Sequence, residues 1–239
     1  MKRYVYLFVF LFLMSACSTY TTQYVGFRPA SDYPNSHTVA GATIGAEAFA
    51  DNKEAKQAFG FDIKKAGLLP VQVVMDNKSG ESMEVVSGQT FLVDNNNRYW
   101  TLIPNQAAVE RVSEATEMGA FASGATKGAT LGAAGGAILG AAFGILSGDN
   151  VLESAGKGAA VGGAGGAVIG GTKKGTDPKQ RRTIADDIRD KGLEGKSFPN
   201  DSLANGFLFF PAEAETAKEL KVQIKEKTSG KIHSLTLVF

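Results

Sequence analysis

Glycine recurs at every fourth position over residues 124–148, and this spacing constrains the chain more than any other feature of its sequence. A glycine costs a solvated helix about 1 kcal/mol relative to alanine, so a repeat of this kind needs a structural use. Positions i and i+4 of a helix share one face, and a face of small residues lets a second helix approach closely. This first run comprises Gly124, Gly128, Gly132, Gly136, Gly140, Gly144 and Gly148.

A second run keeps the same spacing after a bend predicted at residues 148–150. It comprises Gly158, Gly162, Gly166 and Gly170. The two runs predict a glycine-zipper helical hairpin, which we assign to an insertion over residues 113–194. Polar segments at residues 104–118 and 177–192 are predicted helices that extend the hairpin as a stalk. The glycine face also predicts a homo-oligomer, because the same surface on a second copy can pack against it.

The lengths of the two runs permit insertion into a membrane without requiring it. Residues 128–148 carry no charge and would span about 31 Å as a helix, which matches a bilayer core of roughly 30 Å. Residues 158–172 would span only about 22 Å, so flanking lysines would have to reach the interface. A water-soluble hairpin packed on the rest of the protein is the alternative, although its solvated glycines would be costly.

The N-terminal residues MKRYVYLFVFLFLMSAC indicate export across a membrane. Lys2 and Arg3 precede an apolar run that is too short to span a bilayer, as in a signal peptide, here residues 1–16. Cys17 is the only cysteine, so it has no partner within the chain for a disulfide. An ordinary secretory signal with an incidental cysteine is the alternative. Residues 17–37 are rich in Thr, Ser, Tyr and Pro and predict a tether.

The segment Ser15-Ala16-Cys17 resembles the lipobox at which bacterial lipoproteins are cleaved and lipidated, with Met14 where leucine is usual. Together with the glycine runs, it makes the chain similar to glycine-zipper outer-membrane lipoproteins of Gram-negative bacteria, of the surface-antigen type. The resemblance implies acyl chains on Cys17. Because Ser18 rather than aspartate follows, it also implies the outer membrane. It leaves open whether the rest of the protein faces the periplasm or the cell surface.

Alternating apolar and polar residues outside the insertion predict antiparallel β-structure. The clearest case is a hairpin over residues 219–239, in which Leu220, Val222 and Ile224 alternate with polar residues before a turn at Ser229-Gly230. Further strands are predicted within residues 68–86, 89–103 and 205–215. A short helix is predicted at residues 51–60, with Asp51 as N-cap and Glu54 completing a capping box.

About seven predicted strands resemble an immunoglobulin-like sandwich in pattern, although the cysteine pair of that fold is absent. Neither side of the insertion supplies enough strands alone. Residues 38–112 and 195–239 are therefore predicted to form one discontinuous domain, and two separate small domains are the alternative. The predicted fold is mainly β, an immunoglobulin-like antiparallel β-sandwich interrupted by a glycine-zipper helical hairpin.

No catalytic, metal or cofactor site is predicted. His37 and His233 are the only histidines, one in the tether and one in the last strand, which argues against zinc sites and histidine-based triads. Residues Asp94 to Asn97 predict a hairpin turn rather than a cation site. Gly195-Lys196-Ser197 resembles the end of a phosphate-binding loop, but Asp190 occupies the position of its first glycine.

Charge and carboxylate placement exclude further classes of function. Asp186 and Asp187 are adjacent on a predicted helix and do not face each other, so they do not form a catalytic pair. Lys+Arg 25 against Asp+Glu 24 gives a net charge of +1, which implies no nucleic-acid partner. The leading hypothesis is a non-enzymatic, lipid-anchored envelope protein whose partners are membrane lipid, a second copy and other envelope proteins. The alternative is a binding module for a protein or envelope polymer, with the hairpin as a stalk.

Overall fold

The computed structural model describes residues 20–117 and 178–239. In these two ranges the chain is mainly β, with two antiparallel sheets and three α-helices. The helices are α1 (Asn52–Phe59), α2 (Asn105–Glu117) and α3 (Pro178–Lys191). The strands are β1 (His37–Val39), β2 (Ala42–Ala48), β3 (Leu68–Asn77), β4 (Met83–Val85), β5 (Phe91–Val93), β6 (Tyr99–Thr101), β7 (Ser197–Phe198), β8 (Ser202–Pro211), β9 (Glu219–Glu226) and β10 (Ile232–Val238).

The strands form two sheets, each with contributions from both sides of residues 118–177. Sheet A has the strand order β1-β2-β3-β8, and β3 pairs with β8 from Leu68 opposite Pro211 to Asn77 opposite Ser202. In sheet B, β9 pairs with β10 on one edge and with β5 and β4 in succession on the other. The short strands β6 and β7 extend sheet B beside β5 and β4.

The inner faces of the two sheets pack against each other and bury a first core. Sheet A contributes Ile44, Val71, Leu208 and Phe210 to it, and sheet B contributes Met83, Leu92, Leu220 and Ile224, among others. Apolar burial of this kind is the main favourable term in folding. The prediction of a mainly β fold with two packed antiparallel sheets is therefore confirmed.

Strand β3, and β8 from Gly206 to Pro211, are buried on both faces, which explains the almost continuous apolar sequences there. Val71 points inward to the first core, whereas Leu68 and Phe209 point outward to a second core. The three helices and the 3-10 helix Ile63–Ala66 cover this outer face of sheet A. The described residues thus form three layers, which are a helical layer, sheet A and sheet B.

Phe59 of α1 lies fully buried in the second core. Its ring centroid lies 4.9 Å from that of Phe207, 6.2 Å from that of Phe61 and 6.3 Å from that of Phe209. Because Phe207 and Phe209 belong to β8, this cluster of rings fixes α1 to sheet A.

The predicted short helix and the predicted C-terminal hairpin are both confirmed. Asp51 caps α1, because its carboxylate accepts hydrogen bonds from the backbone N–H groups of Lys53 and Glu54. Gly60 ends the helix with a φ of 73°, a left-handed conformation that favours glycine. In β9, buried and partly exposed residues alternate along the whole strand. None of the helices in the described ranges is both long and apolar enough to cross a membrane.

Candidate functional site

Residues 20–36, which we call the N-terminal strap, run across the outer face of sheet A. The sequence predicts a tether over residues 17–37, and from Tyr20 onward this segment lies on the domain. Its main apolar contacts are made by Tyr20 and Val25 with the second core, and by Ala30 and Tyr33 with Val74 of β3. These contacts are irregularly spaced in the sequence, which is why no apolar periodicity marks them.

Tyr20 is fixed to α3 through Asp187. The Tyr20 hydroxyl donates a hydrogen bond to Oδ2 of Asp187 at 2.7 Å, and Lys191 Nζ donates to the other carboxylate oxygen. The Tyr20 ring also meets Phe61 edge-on, with centroids 5.8 Å apart. Burial, and then the bond to the Asp187 carboxylate, raises the pKa of Tyr20 well above its ordinary value. The hydroxyl therefore remains a protonated donor.

Gln72 and Tyr33 hold the rest of the strap on sheet A. Gln72 Nε2 donates to the backbone oxygen of Gly26 at 3.4 Å. The Tyr33 ring lies so close to Gly45 of β2 that a Cβ at that position would come within 2.7 Å of it. Asn35 then uses both atoms of its amide group to bond the backbone of β2, at 3.0 and 3.1 Å.

The outward side of the strap exposes two aromatic side chains. Tyr24 is 96% exposed and Phe27 is 45% exposed. Beside them, the Arg28 guanidinium lies 4.7 Å from the centroid of the Tyr33 ring. Its nearest carboxylate, that of Glu47, is 3.7 Å away. The outward side of the strap is thus aromatic, with its one cation already facing a ring and a carboxylate.

Helices α2 and α3 lie side by side in the helical layer and run in opposite directions. Asn105, at the start of α2, donates through Nδ2 to the backbone oxygen of Arg189 near the end of α3, at 3.0 Å. Glu194 accepts from the Asn105 backbone N–H at 3.1 Å and so caps α2. Because α2 has 13 residues and α3 has 14, their other ends, at Glu117 and Pro178, lie at neighbouring positions.

The two polar helices predicted on either side of the zipper are therefore confirmed as helices. They pack on sheet A, however, and do not project from it as the predicted stalk. Ala115, Ile184 and Ile188 belong to the second core, although the sequence assigns them to the insertion. These helices carry enough apolar surface on one face to favour packing on the outward residues of β8.

The carboxylate of Asp94 is buried, and its hydrogen bonds hold the turn between β5 and β6. Its carboxylate accepts from the backbone N–H groups of Asn96 and Arg98 at 2.8 and 2.9 Å. It also accepts from Arg98 Nε at 2.7 Å and from Trp100 Nε1 at 3.1 Å. Burial opposes ionisation, but these bonds outweigh it and lower the pKa of Asp94 to about 2. The predicted hairpin turn between β5 and β6 is confirmed.

Glu226, Ser229 and His233 meet at the turn between β9 and β10. Glu226 lies in the middle, with His233 Nε2 2.7 Å from one carboxylate oxygen and the Ser229 hydroxyl donating to the other. A nucleophilic triad needs the imidazole in the middle, so this order does not activate Ser229. The bonds from Ser229 and His233 lower the pKa of Glu226, and the group braces the hairpin.

Other predicted site residues are separated or lie outside the described ranges. Cys17 and all eleven zipper glycines lie outside them. Asp186 pairs with Arg189 at the surface, while its neighbour Asp187 is 6% exposed and faces the strap. In the described ranges no group of three or more His, Cys, Asp and Glu side chains is arranged to hold a metal ion.

Sequence reasoning missed Tyr20, Asp187 and Lys191 as a site. Tyr20 and Asp187 are 167 residues apart. No local pattern connects residues at that separation. Comparisons of the chain with protein-family models, curated proteins and solved structures find no match.

Proposed function

We propose that this chain is a non-enzymatic, lipid-anchored protein of the outer membrane. Cys17 carries acyl chains, and residues 118–177 form a glycine-zipper hairpin that engages the membrane, self-associates, or does both. The described residues form the domain that this attachment presents, and we propose that its two sheets are of the immunoglobulin-like type. No catalytic step is part of this function.

The observation that carries the proposal is the placement of the ends of residues 118–177. The chain leaves the domain at Glu117 and returns at Pro178, and these residues lie at neighbouring ends of two antiparallel helices. A helical hairpin over these residues would need its two ends side by side, so this placement supports the proposal. The period-four glycines on both halves of this segment supply faces that can pack together.

Acylation is tested by metabolic labelling with a fatty-acid probe in the native host. We expect a labelled band for the wild type that is lost in Cys17→Ala. Ser18→Ala, which changes the next residue and leaves the thiol, is the control and should keep the label. A band that persists in Cys17→Ala would refute the anchor.

The zipper is tested by Gly136→Leu and Gly140→Leu, with Leu139→Ala as the control off the glycine face. Leucine favours a helix more than glycine does, so a solvated helix should become more stable. A packed glycine face should instead lose helix pairing, at about 1–3 kcal/mol per site by analogy with overpacked cores. Crosslinking in native membranes measures the pairing. If both leucine variants are stabilised and crosslink as the wild type does, the zipper hypothesis is wrong.

The second candidate function is a binding module with the hairpin as its stalk. It is favoured by the outer face of sheet B, where Tyr99 is 61% exposed and meets Phe91 edge-on, with centroids 6.2 Å apart. Lys221 Nζ lies 5.9 Å from the Tyr99 centroid. Replacing residues 118–177 by a short Gly/Ser linker separates the two candidates, since a binding module would keep its crosslinked partners and a zipper assembly would lose them.

A further inference from the structure

With Cys17 acylated, as proposed above, the strap limits how far the domain can stand from the membrane. This inference rests on that proposal. Tyr20 is the third residue after Cys17. An extended chain covers at most about 3.6 Å per residue, so these three residues reach roughly 11 Å. Because Tyr20 is held by Asp187 and Phe61, the domain stands no farther than this from the anchored residue.

The side of the domain nearest to the anchor is the helical layer with its strap. The strap lies on the outer face of sheet A, and sheet B lies on the opposite side of sheet A. Glu117 and Pro178, where residues 118–177 leave and rejoin the domain, belong to the same helical layer. Both segments that we propose to engage lipid are therefore attached on one side.

Tyr24 and Phe27 are exposed on that same side. An aromatic ring at a bilayer surface places its apolar part among the acyl chains and leaves any polar group at the headgroups, and tyrosine is enriched there for this reason. Arg28 beside them is already engaged by Tyr33 and Glu47. The contact is therefore argued from the two rings.

We propose that Tyr24 and Phe27 form a membrane-contact surface that lies in the interfacial region of the phospholipid bilayer holding Cys17. The domain then rests on the bilayer through its helical layer, and sheet B, with Tyr99 on β6, faces away from it. The short chain between Cys17 and Tyr20 selects lipid as the occupant, because it brings the bilayer to the strap whatever else is present.

The test uses the full-length, lipidated protein in vesicles of phosphatidylethanolamine and phosphatidylglycerol. Cys17 is the only cysteine, and lipidation would block its thiol, so a single new cysteine can be labelled selectively. Tyr24→Cys and Phe27→Cys each receive an environment-sensitive fluorophore. Tyr99→Cys is the matched control, because it also replaces an exposed aromatic residue but lies in sheet B. A fraction of the lipid carries a nitroxide quencher on its headgroup.

We expect the labels at positions 24 and 27 to be quenched several-fold more than the label at position 99. Equal quenching at all three positions, in protein that floats with the vesicles, would overturn the contact surface and leave the proposed anchor intact. Protein that does not float with the vesicles would refute the anchor, and the contact surface with it. Self-quenching between labels on the strap without quenching by lipid would mean that a second copy covers it, which also overturns the proposal.

Discussion

Removing one hydroxyl group from Tyr20 tests whether the strap is held as described. In Tyr20→Phe the ring keeps its contact with Phe61, and only the 2.7 Å hydrogen bond to Asp187 is lost. A hydrogen bond to a charged group contributes about 1.5–3 kcal/mol, and we expect the lower part of this range because Asp187 keeps Lys191 as a partner. A loss of about 1.5–2 kcal/mol raises the population of the open strap about 10- to 30-fold.

Thermolysin cleavage in detergent solution measures this opening. The enzyme cuts before apolar residues, and we expect the bond before Val25 to be protected because the Val25 side chain packs against the second core. When opening is fast relative to cleavage, the cleavage rate follows the open population. The rate at this bond, followed by mass spectrometry, should therefore rise in Tyr20→Phe by the same factor.

Tyr99→Phe is the matched control, because it removes a hydroxyl from an exposed tyrosine in sheet B. It should leave cleavage before Val25 unchanged. If Tyr20→Phe and Tyr99→Phe are cut at the same rate as the wild type, the bond to Asp187 does not hold the strap, and the distance limit drawn from Tyr20 fails with it.

Three further predictions concern the domain itself. Phe59→Ala should lower the free energy of unfolding, measured with urea, by about 3–5 kcal/mol, because it empties the centre of the second core. Gly45→Ala should cost about 1–3 kcal/mol because its Cβ would meet the Tyr33 ring, whereas Gly88→Ala, with nothing within 4 Å, should be nearly neutral in the same assay. The pKa of Asp94 in the folded protein, about 2, is below its ordinary value of 3.8. The ionised carboxylate of Asp94 therefore contributes fully to stability above pH 3.8, and this contribution is lost as pH falls toward 2. The urea midpoint of Asp94→Asn should accordingly depend less on pH in this window, and an unchanged pH dependence would contradict the assignment.

The elements that sequence reasoning predicted well have local causes. The β9–β10 hairpin follows from alternation, because one face of sheet B is buried and the other is solvated. Helix α1 follows from Asp51 and Gly60, which carry signals for its start and its end. Each of these features is decided by residues close together in the chain, so the sequence pattern reports it directly.

The helical layer and the strap could not be predicted because their causes are distant in sequence. The continuous apolar run of β8 indicates burial on both faces, but it does not say that α2 and α3 cover the outer one. The strap is held by single residues such as Tyr20, whose partner Asp187 reads in the sequence as an ordinary charged residue of a polar helix. The sequence pattern does not indicate which distant side chain donates a hydrogen bond to a buried carboxylate.

The pairing of β3 with β8 also determines when this protein can fold. In a chain that emerges N-terminus first from a ribosome or an export channel, β3 can find its neighbour β2 at once. Its other neighbour, β8, follows only after residues 118–177 have emerged. The strap likewise has no Asp187 to bind until α3 appears. Closure of the domain is therefore a late event in biogenesis, because contacts so distant in the chain cannot form during its first half. The N-terminal half can therefore pair β2 with β3 early, but it cannot complete sheet A until β8 has emerged.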